Sequence, residues 1–461
     1  MGMSITLDTA MRALMAQQMG VDNVSHNVAN ASTVGYSRQR LTMHAIPGSF
    51  VGDGIPRPGM GVEVVNIDRV RDLFIDYQMR QQFQSAGRYD AQAESLQRLE
   101  LVLSEPGDGG LRGSLDGFFN SWRDLANAPE SPSARTAVVQ SGQTFALAAN
   151  RVYTSMNVLR READSRLQGA VAEINDLTTE IASLNQQIGK MVATGTPSPD
   201  LSDRRDVAID RLATMLNISY VQQSDGTIDI AVGGHSLVTG HIAQTLVGVP
   251  NAANSNYIDI QFQADGLALN TSGGEVRGLI DQRDVDLPAR IADLNSLVSA
   301  VLTDVNAAHN AGFGLDGVTG RDFFVGTDAS DIAVDPLNIA DINRVAASAT
   351  AGGVPGDGSN ASIISDLQYA QGLLGGTATY DDFYGNFVAS VGVDSAEAQS
   401  RLQAQNLVVD QMKLVRDGTS GVNLDEEMVN LTRYQRAYEA ASRLVRVADE
   451  MLDTLINRTA V

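Results

Sequence analysis

Five histidines, one glycine-lysine pair, a run of three acids and several glycine-rich acidic loops are the places in this 461-residue sequence where chemistry could reside. His26, His44, His235, His241 and His309 lack the close helical pairing of a zinc site. His235 and His241 can converge across a hairpin, but turn histidines at a surface are the expected reading, and no metal site is assigned. The pair Gly189-Lys190 is followed by Met191 inside an apolar heptad pattern, where a phosphate loop needs Ser or Thr, and no G-x-S-x-G elbow occurs. The stretch EPGDGGLRG, residues 105–113, follows a helical pattern without a strand before it and reads as a flexible connection. Asp316, Asp322, Asp328 and Asp331 do not keep the spacing of a calcium loop. Asp425-Glu426-Glu427 offers carboxylates for acid–base work, yet acids in the first turn of a helix are favoured by its dipole, which is the structural reading adopted. With no cysteine, disulfides, thiolate metal sites and cysteine nucleophiles are excluded. No catalytic residue and no cofactor is assigned, and a non-enzymatic protein is expected.

The elements that carry these residues belong to a chain long enough for two to four domains. A net charge of −22 repels a phosphate backbone, and the 33 basic residues are scattered, so nucleic-acid binding is not expected. No apolar run reaches 18 residues, and MGMSITLDTAMRALMAQQ is interrupted by polar residues where a signal peptide needs an unbroken apolar core; no membrane insertion is expected. The opening Met-Gly fits a myristoylation pattern only weakly at Thr6. Charge is uneven: residues 1–45 sum to +1, residues 420–461 to −2, and the middle carries −21. Such a distribution suits ends that pack together and a body that faces water.

Apolar periodicity supports that arrangement. Leu7, Leu14, Val21 and Val28 recur every seven residues, with Ala10, Gln17 and Val24 three residues behind. At the other end Leu424, Leu431, Tyr438, Val445 and Leu452 recur every seven, followed by Tyr434, Ala441, Ala448 and Leu455. Each seam is about four heptads long and has polar members, too little for a stable isolated helix pair. Further seams run over Leu167, Ala170, Ile174, Leu177, Ile181, Leu184, Ile188 and Met191, and over Leu287, Ile291, Leu294, Val298, Val301, Val305 and Ala308. Helical periodicity also marks residues 88–103, 134–166, 203–216 and 395–415. The texture changes at residues 218–240, where Asp225-Gly226 separates two alternating runs, and Asp265-Gly266 repeats the device. Residues 312–360 are rich in Gly, Asp, Ala and Ser and read as a loosely structured excursion.

One polar stretch continues the first seam directly: VSHNVANASTVGYSRQR, residues 24–40. Its core, SHNVANASTVGY, resembles the S-x-x-N-x-A-N-x-x-T-x-G-Y signature of bacterial flagellar axial proteins (rod, hook and hook-associated), matching at Ser25, Ala29, Asn30, Thr33, Gly35 and Tyr36, with His26-Asn27 fitting the usual run. The extension Ser37 to Gln39 and the C-terminal stretch 420–457 resemble, more narrowly, the hook-associated protein 1 family, and residues 309–324 are similar to its passage after the long mid-chain helix. Val34 stands where that family usually has Pro, and residues 325–360 are too short for the second β domain of its longer members.

The expected fold is mainly α: N- and C-terminal helices pairing as a coiled coil, an elongated helical bundle, and one small inserted β domain. The expected domains are 1–75 with 418–461 for assembly, 76–216 with 274–417 as the bundle, and 217–273 as the β insert. The resemblance implies a self-assembling structural adaptor between hook and filament, the alternative being another axial subunit of hook or rod. It implies further copies of itself, hook protein and a second hook-associated junction protein as partners, with an export chaperone on the C-terminal helix. It also implies an extracellular place on the flagellum, reached through the flagellar type III apparatus without a cleaved signal. The expected interface residues are Leu7, Leu14, Val21, Val28, Asn27, Asn30, Thr33, Gly35, Tyr36, Leu424, Leu431, Tyr434, Tyr438, Val445, Leu452 and Leu455. Within the connector, the resemblance makes the amides intersubunit hydrogen-bond groups; the alternative is a local cap.

Overall fold

The computed structural model describes residues 2–48, 50–51, 55–56, 59–103, 110–196, 198–373 and 376–457; the segment 105–109 of the expected inter-helix connection and the side chain of Leu455 lie outside the described residues. Helix α1 (Gly2–Asn30) leads through the polar connector into β1 (Gln39–Ala45). After the two-residue strands β2 (Phe50–Val51) and β3 (Ile55–Pro56), β4 (Val62–Arg69) returns antiparallel to β1 with a bulge at Thr42/Met43.

Long helices follow because their apolar positions keep a three-four spacing. They are α2 (Leu73–Leu103), α3 (Leu111–Asn127) and α4 (Pro132–Ala193), which runs 62 residues from a Ser131 cap with Pro at its first position. The periodic stretches 134–166 and 167–191 are thus one helix. Next come α5 (Pro199–Met215), strands β5 (Ile218–Gln222), β6 (Ile228–Val232), β7 (His235–Thr239), β8 (Ile242–Ala243), β9 (Leu246–Pro250) and β10 (Ile258–Phe262), then α6 (Gly274–Asp281) and α7 (Leu287–Ala311). A π turn at Gln282–Asp286 joins the last two and buries Arg283 against Asp164 at 2.6 Å. Strands β11 (Phe324–Val325) and β12 (Ala333–Val334) and helices α8 (Pro336–Ala340) and α9 (Ser359–Asp366) precede α10 (Tyr380–Ser420), whose Thr379 and Asp382 form a capping box. Helix α11 (Leu424–Asn457) closes the chain against α1.

The chain is mainly α, and its apolar interior divides into two large clusters that α4 spans from end to end. One gathers Leu167, Ile174 and Ile181 of α4, Ile209 and Leu212 of α5, Val276 and Leu279 of α6, and Ile230, Val232, Leu237, Val238, Ile260 and Phe262 of the strands. The β segment 217–273 therefore has no core of its own: a four-stranded sheet β5-β6-β7-β8 and the hairpin β9-β10 are too small to bury an apolar face without the helices. Both Asp-Gly turns form where the sequence places them, with Gly226 at φ +84° and Gly266 at φ +70°.

The other cluster corrects the expectation for residues 312–360. Phe323, Phe324, Ile332, Val334 and Val345 are buried among Phe118, Trp122 and Phe145. Polar composition misleads there because the carboxylates satisfy backbone: Asp331 accepts from the amides of Thr327 (2.7 Å) and Asp328 (3.1 Å), Asp335 from Leu337, Asp341 from Asn343, and Asp357 from Ala349. His309 is fully buried: its Nδ1 donates to Arg321 O (2.7 Å), its Nε2 accepts from the Ala346 amide (3.0 Å), and burial pushes its pKa down to about 4. The segment holds short helices and the two-residue ladder β11-β12, and no second β domain.

Candidate functional site

The connector folds back onto the helix it leaves. Asn27 is 1 % exposed and uses both ends of its amide: Oδ1 accepts from the Gln39 amide (2.9 Å) and the Tyr36 hydroxyl (2.8 Å), while Nδ2 donates to Gln39 O (2.9 Å) and Glu427 Oε2 (3.1 Å). Asn23 Nδ2 donates to the same Gln39 carbonyl at 2.9 Å. Two helix side chains thus pair with one backbone unit as a strand would. Asn30 Nδ2 donates back to His26 O (3.0 Å), Thr33 Oγ1 donates to Asn30 Oδ1 (3.3 Å), and Gly35 takes φ +80° so that the chain reverses. His26 Nδ1 stands 3.0 Å from the Tyr36 oxygen, whose hydroxyl donates to Asn27, and its Nε2 lies 3.8 Å from Asp200 Oδ2. Burial, then the charges of Asp200, Asp203 and Glu427, pushes the Tyr36 phenol up, so it stays a donor.

Beyond the turn a buried ionic joint ties this end to the body. Asp203 accepts from the Ser37 amide (2.8 Å) and hydroxyl (2.7 Å), and Arg69 at the end of β4 bridges Asp203 (2.8 Å) and Asp206 (2.7 Å). Arg71 pairs with Asp76 (2.6 Å), Arg80 with Asp206 (3.0 Å) and Asp210 (2.7 Å), and Arg416 of α10 with Asp210 (3.0 Å). Four guanidinium groups meet four carboxylates, which is how charges tolerate burial. Burial alone would raise the Asp206 carboxyl; Arg71, Arg80 and Arg69 outweigh it and hold its pKa far below the usual range. On the opposite side Arg38 reaches Glu427 (2.8 Å) and Glu426 (2.8 Å).

Helices α1 and α11 pair antiparallel, and of the two rows in the expected seam the one with the smaller residues lies at the centre. Its innermost residues on α1 are Ala10, Ala16, Gly20, Asn23, Val24 and Asn27, and on α11 Glu427, Ala441 and Ala448. Leu7, Leu14, Val21, Leu431, Tyr434, Val445 and Leu452 flank it, partly buried. Val28, Leu424 and Tyr438 lie outside the seam within the chain: they are 37 %, 51 % and 41 % exposed. Small residues win the centre because they let the helix axes approach; a Cβ on Gly20 would lie 2.6 Å from the Tyr434 ring. The connector residues divide likewise. Asn27, Asn30 and Tyr36 spend their polar atoms within the chain, the local-cap geometry, whereas Thr33 faces solvent beside Val34, which is 89 % exposed.

Asn23 and the charged joint residues were not singled out from sequence, and Glu427 was read only as an acid favoured in the first turn of a helix. A signal existed: Asp203, Asp206 and Asp210 lie three and four residues apart on one face of α5, the spacing of a helix–partner stripe written in acids. Among the described residues no group of three or more His, Cys, Asp or Glu could hold a metal, and no helix is long and apolar enough to cross a membrane.

Comparisons with known proteins cover both ends and the middle. Residues 96–324 match the model of the helical domain of the flagellar hook-associated protein FlgK, residues 7–36 that of flagella basal body rod proteins, and residues 418–458 the C-terminal model of the basal body rod FlgEFG proteins. The chain is 30 % identical to flagellar hook-associated protein 1 of Bacillus subtilis, over 99 % of this chain and 98 % of that one. It is 27 % identical to the protein of the same name in Salmonella typhimurium, over 99 % of this chain and all of that one, in an alignment 561 positions long. The solved flagellar hook junction protein of Burkholderia pseudomallei superposes with a TM-score of 0.66 at 16 % identity, covering 74 % of this chain and 100 % of that one.

Proposed function

Because this chain belongs to the flagellar hook-associated protein 1 family and is a structural subunit of the flagellar hook–filament junction, we propose that α1, α11 and the connector between α1 and β1 are the element through which it assembles. Each copy contributes one antiparallel helix pair to an inner tube, and the ionic joint holds the acidic body outward at a fixed angle. The unit comprises residues 1–75 and 418–461; the bundle, 76–216 with 274–417, and the strands 217–273 are carried outside it. The interface residues are those that flank the α1–α11 seam, Leu7, Leu14, Val21, Leu431, Tyr434, Val445 and Leu452, together with the exposed Val28, Thr33, Leu424 and Tyr438. Leu455 completes the heptad in sequence. Asn27, Asn30, Gly35 and Tyr36 act from within, by shaping the connector. The partners are further copies of this chain, hook protein on one side and a second hook-associated junction protein on the other. The free apolar ridge of α11, with Val429, Leu444, Val447 and Met451 exposed, suits an export chaperone before assembly. Export proceeds through the flagellar type III apparatus with no signal cleaved, and the protein works outside the cell without catalysis.

The observation that carries this reading is the buried bond from Asn27 to Glu427, 400 residues apart, inside a helix pair that leaves apolar side chains exposed on both members. The test is replacement of the cell's own copy by the full chain or by a version ending before residue 424. The full chain restores filaments on hooks; the shortened chain folds its body, shows the thermal transition of the bundle and leaves hooks bare. Filaments of normal number on the shortened chain would overturn the proposal. Sequencing the flagellar protein from its N-terminus tests the export route: loss of residues 1–20 would contradict it.

A further inference from the structure

Helix α10 is covered on one side only. It packs on α2 through Ala398 and Val409, with Gln405 bonded to Gln82 O (3.1 Å) and Ser395 to Glu100 (2.9 Å). On the opposite side Val393, Leu407 and Leu414 are 65 %, 72 % and 67 % exposed, and Val408 and Val415 lie beside them. The helical repeat puts Ser400, Ala404 and Gln411 on the same stripe, and residues 402–409 carry no charge at all. Exposed Glu397, five turns before Val415 on the same face, ends the neutral part of the stripe; from Ser400 to Val415 it is about 22 Å long and about 10 Å wide, on the order of 200 Å².

A second exposed apolar group sits on the same pair of packed helices. The bonds above make α2 and α10 antiparallel, so Leu414 stands level with the first turns of α2, where Leu73, Phe74 and Tyr77 are 62 %, 66 % and 47 % exposed. Two different patches at one height on one subunit are what a head-to-tail contact needs, and such a contact closes into a ring when copies stand around an axis. Charge favours the same solution. Copies of a chain with net charge −22 repel, and a neutral stripe is where they can touch without opposing carboxylates. We propose that the outer face of α10 is seated against the start of α2 of a second copy of this chain. This rests on the reading of the chain as a self-assembling subunit. A patch of about 200 Å² is well below the roughly 800 Å² per partner of a stable complex, so the contact forms only between copies already held together by their terminal helices.

The absence of native cysteine makes the test direct. Full-length chains carrying Phe74→Cys, Leu414→Cys or both are expressed in flagellated cells lacking their own copy, flagella are collected and oxidised, and products are resolved without reductant. The double variant gives a ladder in multiples of the 49.0 kDa chain and neither single variant does. In a separate arm, Leu407→Glu with Leu414→Glu leaves the thermal transition of the purified chain unchanged and lowers the amount on flagella at least ten-fold. Absence of the ladder from flagella that contain the double variant overturns the contact, as does normal incorporation of the glutamate variant. Loss of incorporation with glutamate but no ladder with cysteine assigns the face to a different flagellar protein and likewise overturns it. Failure of the unsubstituted chain to reach flagella would instead refute the assembly reading itself.

Discussion

Replacing Gly20 by Ala sets two physical effects against each other. Alanine in a helix interior is favoured over glycine by about 1 kcal/mol, so on α1 taken alone the substitution stabilises. In the helix pair the new methyl lies 2.6 Å from Cδ1, 2.7 Å from Cε1 and 2.9 Å from Cγ of Tyr434. Carbon contacts prefer about 3.5 to 4.0 Å, so the axes must part by roughly 1 Å or the ring must leave its place. The crowded atoms include the base of the ring, which cannot swing away as a flexible tip would. Overpacking of this kind costs about 1 to 3 kcal/mol, and the net is a loss on the order of 1 kcal/mol, about a five-fold rise in the opened population of the pair. Amide hydrogen exchange of peptides from residues 8–30 and 427–448 in the full-length chain reads that population. Exchange should quicken in Gly20→Ala, and in a Tyr434→Leu background, where the ring is gone, the same substitution should slow it. Slower exchange in Gly20→Ala alone would mean that propensity outweighs packing and that the two helices do not approach as closely as described.

Leu431→Asp or Val445→Asp places a carboxylate in a half-covered heptad position at a cost of several kcal/mol to assembly; incorporation on hooks should fail while the body's thermal transition stays, and normal motility of both variants would contradict this. Glu427→Gln removes the charge facing Arg38 in a buried position and should loosen the connector by about 1 to 3 kcal/mol, read as faster exchange over residues 24–40 with residues 280–310 unchanged. His309 has a folded pKa near 4 against an ordinary value of 6.5, so below pH 6.5 the unfolded chain takes up a proton that the folded chain refuses. The sign is a stability loss of about 3 kcal/mol as pH falls from about 6.5 to about 4, and His309→Gln should flatten that slope in thermal melts.

Much of the architecture was legible because helical periodicity is written in aliphatic side chains. The stripe from Leu167 to Ile188 forms the inner face of α4, and Leu287 to Val305 that of α7. The Asp-Gly turns were legible for a backbone reason, the positive φ that glycine supplies. What misled was polarity used inside. Residues 312–360 look like solvent-exposed loop, yet their aspartates cap amides while Phe323 and Phe324 fill the interior. At the terminal seam the heptads gave the correct pair of helices and, in Ala10, Val24, Ala441 and Ala448, part of its centre; the larger apolar members flank that centre because the alanines and Gly20, which the pattern did not include, permit close approach. Glu427 read as a dipole-favoured acid at a helix start; its burial against Asn27 and Arg38 depends on a partner 400 residues away, which no local pattern announces.

That polar centre resolves a difficulty the seam leaves open. Two helices with heptad-spaced apolar residues fit almost as well when slipped by one repeat, so apolar matching specifies the partner and not the register. Gly20 faces Tyr434, and Asn27 faces Glu427, seven residues away on each helix. A slip of one heptad in one direction sets Asn27 against the Tyr434 ring and strands both the amide and the Glu427 carboxylate; a slip in the other sets Gly20 against Glu427 and leaves Asn27 past the start of α11. Either way a buried charge next to Arg38 loses its partners, at a cost of several kcal/mol that no gain in apolar contact offsets. The polar stretch that interrupts the first seam is therefore what fixes how far α11 extends along α1, and with it the height at which every copy presents its connector to the next.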